Sequence, residues 1–127
     1  MDTVVGTDPS VRETARLIGS DKVEGTAVRN SGGDKIGTIE RVMIDKRAGK
    51  AAYAVMSFGG FLGMGQDYVA LPWHVLRYNE NLDAYEVNVT EDQLRGAPAV
   101  GSGWETGSVN RDWERNIHNY YGVDPYW

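Results

Sequence analysis

The chain contains no cysteine. That excludes disulfides, thiol redox chemistry, thiolate zinc sites and a cysteine nucleophile. It holds two histidines and four prolines in 127 residues. Basic side chains are outnumbered, 13 against 18 acidic, for a formal charge of -5. An acidic chain lacks the broad basic footprint that nonspecific nucleic-acid binding needs, so nucleic acid is not the expected partner. Long hydrophobic runs are missing too. The longest, AAYAVMSFGGFLGMG, is broken by Ser57 and by glycines, so no transmembrane segment is expected. The first twenty residues carry an acidic second position and no apolar core of signal-peptide length, which makes a cytoplasmic location the default expectation.

Glycine is abundant instead, at 16 residues, nearly double the usual share. Hydrophobic residues make up 41%, enough for one core, so the glycines mark turns rather than a disordered linker. The pattern divides the chain into an arm (1–20), one domain (21–98) and a glycine- and aromatic-rich extension (99–127). Within the arm, Val11, Thr14, Ala15, Leu17 and Ile18 suit a short amphipathic turn that Gly19 stops.

Strand signals follow at 22–30, 36–45, 51–58 and 68–73. Asn30-Ser31-Gly32-Gly33-Asp34 reads as a hairpin turn. Gly37 marks a bend. Two further strands, 74–78 and 82–89, flank Asn79-Glu80-Asn81 as a second hairpin. Thr90 and Gln93 form a capping-box pattern at the start of a short helix that Gly96 and Pro98 end, with Leu94 and Ala97 toward the sheet. Residues 111–122 suit another helix with Trp113, Ile117 and Tyr120 or Tyr121 on one side. Three of four tryptophans lie in the extension. That content predicts docking on the chain's own sheet or on a partner subunit. The expected fold is all-β: a small closed or half-closed antiparallel barrel of five to six strands, with a short C-terminal helix and an aromatic tail.

The runs SDKVEGTAV, GDKIGTIERVMIDKRAGKAAYAVMSFGGFLGMG, ALPWHVLRY and YEVNVTEDQLRGAP together resemble the PRC-barrel domain over about residues 20–98. That small β-barrel is shared by photosynthetic reaction-centre H subunits and a ribosome-maturation factor. The closing NYYGVDPYW is similar to the tail of stand-alone bacterial members. The resemblance implies a barrel fold. It also implies two alternative roles, an RNA-processing or ribosome-assembly accessory and a membrane-complex or electron-transport accessory.

No catalytic constellation accompanies these strands. His74 and His118 lie far apart in sequence and lack a metal-ligand motif. The acids Asp45, Asp67, Asp83, Glu86 and Asp92 match no calcium-loop spacing. GGFLGMG lacks the Lys-Ser/Thr and the following helix of a phosphate loop. Ser57, Ser102 and Ser108 have no nucleophile-elbow context. No enzyme activity, cofactor or metal is therefore expected. Tyr53, Trp73, Tyr78 and Tyr85 suit core packing better than stacking on RNA. The basic residues Lys22, Arg29, Lys35, Arg41 and Lys46 would have to form one face for an RNA contact.

What is left is adhesion. Phe61, Leu62 and Met64 are apolar side chains on a glycine-rich loop, which either plug the barrel or meet a partner. With Trp73, His74, Trp113, Tyr120, Tyr121 and Trp127 they form the candidate interface set. The expected function is a non-enzymatic adaptor or structural module that self-associates, as a homodimer or other homo-oligomer, and binds a protein partner.

Overall fold

The computed structural model describes residues 12–59, 67–98 and 111–127. After a helical turn, α1 (Ser20–Val23), six strands follow: β1 (Ala27–Arg29), β2 (Lys35–Ile44), β3 (Ala51–Phe58), β4 (Asp67–Pro72), β5 (Arg77–Asn79) and β6 (Ala84–Glu86). A 3-10 turn, Trp73–Val75, separates β4 from β5. Among the described residues, the helices α2 (Glu91–Arg95) and α3 (Arg111–Tyr121) follow the sheet. The strands form one sheet in the order β4-β3-β2-β1-β6-β5.

Most pairings are antiparallel, but β1 pairs with β6 in parallel, Val28 opposite Tyr85 and Arg29 opposite Glu86. This corrects the expectation of a wholly antiparallel sheet. Alternation along a strand tells which face is apolar; it does not tell which strand lies alongside or in which direction. The sheet order has two ends, β4 and β5, and no pairing joins them among the described residues.

The expected strand over 22–30 is also shortened. Its first residues belong to α1, and Gly25, at φ +88°, turns the chain out of that helical turn. Pairing then starts with the Gly25 N–H on the Ile39 carbonyl at 2.7 Å. The first hairpin forms as expected: Asn30 Oδ1 accepts the N–H groups of Gly32 and Asp34 at 2.9 and 3.0 Å. Gly37 is required by close approach. A Cβ there would sit 2.4 Å from the Ser57 carbonyl oxygen and 2.7 Å from Met56 Sδ.

One core takes Val28, Ile39, Ala54, Met56, Phe58, Val69, Leu71 and Tyr85 from five strands, with Val23, Val87 and Leu94 sealing it. Thr90 caps α2 as anticipated: its hydroxyl accepts the Gln93 N–H at 3.1 Å, and Gln93 Oε1 accepts the Thr90 N–H at 2.8 Å. That cap holds Leu94 in the core. A second, smaller apolar cluster lies on the other face of β3 and β4, where Ala52, Tyr53 and Ala70 meet Ile117 of α3.

The second cluster depends on a bulge. The pairing of β2 with β3 shifts between Met43 and Ile44, leaving Ala52 as the extra residue. An extra residue breaks the in–out alternation. Ala52 and its neighbour Tyr53 are consequently both buried in the outer cluster. A second shift, between Ile39 and Arg41, makes Glu40 the extra residue of β2. Its carboxylate accepts the buried Ser57 hydroxyl at 2.6 Å.

Candidate interaction surfaces

Two aromatic clusters stand out, on different elements. The first is built by the C-terminal extension. Tyr53, fixed by the β3 bulge, meets Trp113, His118 and Tyr126 edge-on, with ring centroids 5.9, 5.5 and 6.3 Å away. Edge-to-face geometry at these distances is attractive beyond simple burial. The Tyr53 hydroxyl donates to Glu114 Oε1 at 3.2 Å. Burial, and next the Glu114 carboxylate, hold that hydroxyl well above the usual tyrosine range, so it stays a neutral donor.

The last residues are tied down by polar groups. Tyr126 donates its hydroxyl to Asp45 Oδ2 at 2.7 Å. Asp45 also accepts the N–H groups of Ala48 and Arg47, each at 2.9 Å. The Ala48 N–H, then the Tyr126 hydroxyl, then the Arg47 N–H hold the Asp45 carboxyl down at about 2. The Arg111 guanidinium lies 4.0 Å from the Trp127 ring centroid and pairs with Glu114 at 3.4 Å. His118 is fully buried, and its Nδ1 lies 2.7 Å from the Glu114 carbonyl oxygen. A carbonyl only accepts, so Nδ1 carries a proton. Tyr120 ties α3 to α2 through its hydroxyl on the Gln93 carbonyl at 2.5 Å.

The second cluster is open. Residues 12–19 fold back as a small hairpin, with an antiparallel bridge between Glu13 and Ile18 and the Gly19 N–H on the Arg12 carbonyl at 2.7 Å. This replaces the amphipathic helical turn expected there; Val11 itself lies outside the described residues. Thr14 explains the fold-back, because its hydroxyl accepts the Leu17 N–H at 2.9 Å and favours a turn over a helix. The ion pairs Arg12–Asp21 and Lys22–Glu13 anchor this hairpin to α1.

Between the arm hairpin and the β5–β6 hairpin runs a groove of about 600 Å³, walled by Glu13–Ile18 on one side and by Trp73, Leu76, Tyr78, Glu80, Asp83 and Tyr85 on the other. Tyr85 is edge-on to both Trp73 and Tyr78, at 5.6 and 5.1 Å. The Tyr78 hydroxyl donates to Asp83 and lies 3.3 Å from Glu13 Oε2. Its hydrogen bond to Asp83, then desolvation, hold the Tyr78 hydroxyl well above the usual range. Leu17 and Leu82 are exposed at this end of the molecule.

The candidate interface residues therefore divide. Phe61, Leu62 and Met64 lie outside the described residues, as do Ser102 and Ser108. Trp73 lines the open groove. His74 is exposed on the 3-10 turn, beside a separate concavity that Arg77, Glu86 and Tyr121 also line. Trp113 and Trp127 belong to the closed C-terminal cluster, where Tyr121 is partly buried. Tyr120 keeps 40% of its surface and Trp127 45%.

Several contributors are not in the candidate set. Tyr53 and Asp45 receive the extension, and Glu13, Tyr78, Asp83 and Tyr85 shape the groove. Asp45 carried a local signal, an aspartate opening the Lys46-Arg47-Ala48-Gly49 turn, but its tie to Tyr126 spans 81 residues and has none. Among the basic residues, Lys22 is held by Glu13, and Arg29 donates to the Gly33 carbonyl at 2.9 Å. The described residues contain no group of three or more side chains placed to hold a metal ion, and no helix long and apolar enough to cross a membrane.

Over residues 16–94 the sequence matches the PRC-barrel domain family. No curated protein matches it significantly.

Proposed function

Because this chain belongs to the PRC-barrel domain family, we propose that it is a binding module that self-associates through the β4 end of its sheet. PRC-barrel domains are non-catalytic and generally serve protein–protein interaction. The observation that carries the self-association is Tyr68. It is 53% exposed on β4, the terminal strand of the sheet order, directly after the chain segment that bears Phe61, Leu62 and Met64. An edge strand offers unpaired backbone groups, and exposed apolar side chains beside it favour a second chain over water. Pairing β4 with β4 across a two-fold axis would use one patch on both copies.

The half-closed barrel belongs to the same proposal. Its support is the single core shared by β1, β2, β3, β4 and β6, with only the Trp73–Val75 turn between the two terminal strands. The ribosome-associated alternative needs a contiguous basic face, and two of its five basic residues are engaged internally. Light scattering over a concentration series tests self-association. A dimer that Y68D or F61D/M64D converts to monomer is the expected result. A wild-type monomer at the highest attainable concentration overturns it.

A further inference from the structure

We propose that the groove between the arm hairpin and the β5–β6 hairpin receives a lysine or arginine side chain carried on a basic segment of a partner protein. The proposal is independent of self-association, because no residue of β4 lines this groove.

Charge is the first argument. Three carboxylates, Glu13, Glu80 and Asp83, line the groove against one base, Arg16. Lys22 neutralises Glu13 from outside the lining. Asp83 accepts the Tyr78 hydroxyl and feels the Lys22 charge as well, whereas no ion pair or hydrogen bond among the described residues reaches Glu80. Set against Arg16 and Lys22, the three acids leave one negative charge in excess, and Glu80 is the carboxylate that no cation among the described residues pairs with. Such a surface repels phosphate and attracts a cation.

Shape and chemistry then choose among cations. A metal ion would need oxygen ligands converging on one point, and these carboxylates do not form such a group. They are spread along a groove that Trp73, Tyr78 and Tyr85 also line. Trp73 and Tyr78 both flank Tyr85 edge-on. Partly exposed aromatic side chains such as Trp73 and Tyr78 beside carboxylates suit an organic cation with an apolar stem: the rings offer contact to the methylenes, while the acids meet the head group. About 600 Å³ exceeds the needs of one side chain and accommodates its neighbours along an extended segment. Exposed Leu17, in the arm wall of the groove, offers apolar contact to residues flanking the cation.

The test uses the full chain, labelled with nitrogen-15, titrated with acetyl-Lys-Leu-Arg-Lys-Leu-Lys-amide and with acetyl-Glu-Leu-Gln-Glu-Leu-Glu-amide. The basic peptide is expected to give saturable shifts confined to amides of residues 13–18 and 73–85, weakening as salt rises. Neutralising the acids in E80Q/D83N should weaken binding by about fivefold per charge, the size of an exposed ion pair. E80Q alone, at an exposed position, guards against a folding defect in the double variant. Unsaturable binding overturns the proposal. So do equal binding of the acidic peptide, shifts centred elsewhere, or an E80Q/D83N affinity equal to wild type. Because Y68D leaves this groove intact, it should bind the peptide normally even where it abolishes the dimer.

Discussion

The C-terminal cluster and the arm-side groove are made of the same materials and end in opposite states. Each gathers aromatic rings at edge-on angles near carboxylates. In the C-terminal cluster the chain supplies its own cation: Arg111 sits over Trp127 and pairs with Glu114. In the groove the corresponding place is empty space, and Glu80 has no partner among the described residues. The closed cluster thus shows what its open counterpart lacks among the described residues, an arginine held over an aromatic ring. It also shows that aromatic content alone does not mark an interface. Trp113 is spent on holding the chain to itself.

The comparison breaks most severely at Ile117. It is fully buried between α3 and the outer face of β3 and β4. Ile117→Ala should remove about 2–5 kcal/mol from the docking of the extension. Hydrogen exchange would read the loss across residues 111–123, and the peptide-binding groove should be unaffected. If exchange in the arm and in β5–β6 rose equally, the two regions would be one cooperative unit and the contrast would fail.

A finer cut is Tyr53→Phe. It keeps the ring contacts and deletes the hydroxyl that donates to Glu114 at 3.2 Å. A loss of about 0.5–1.5 kcal/mol in urea unfolding is expected. No change at all would mean that ring packing alone holds the extension.

Acid provides a reversible version of the same cut. The Asp45 carboxyl is lowered from 3.8 to about 2 in the folded chain. A depressed carboxyl favours the folded state fully above its unfolded value, and the contribution fades as pH falls through the folded one. The Tyr126 anchor should therefore hold above about pH 4 and weaken toward pH 2. Tryptophan fluorescence of wild type against D45N reads this step, which the variant should lack.

Much of this fold is legible along the chain, because its signals are local. The Thr90–Gln93 box, the Asn30 turn and the periodicity of α3 each lie within a few residues, and each forms as the sequence suggests. The failures are long-range or arise from single-residue shifts. The bulge at Ala52 puts two adjacent residues on one face, which no alternation rule allows. The parallel β1–β6 pair joins segments more than fifty residues apart. The groove was hidden for a third reason: its arm wall is a small hairpin whose hydrophobic pattern also fits a helical turn, and the Thr14 hydroxyl favours the fold-back through a bond that pattern does not show.

The smallest expected effect separates fold from function most cleanly. Glu80 is exposed and lies in the turn between β5 and β6, where the local geometry is set by Asn79, whose Oδ1 accepts the N–H groups of Asn81 and Leu82 at 2.9 and 3.2 Å. Nothing in that turn depends on the Glu80 carboxylate. Glu80→Gln should therefore change stability by no more than about 0.5 kcal/mol. The sign should be slightly stabilising at low salt, because the substitution relieves repulsion with Asp83 and Glu13 across the groove, and the gain should vanish as salt screens it. Urea unfolding at two ionic strengths measures both. A clear loss of stability would mean that this carboxylate serves the fold as Glu114 does. An unchanged fold with weakened peptide binding would instead mark Glu80 as a charge kept for a partner.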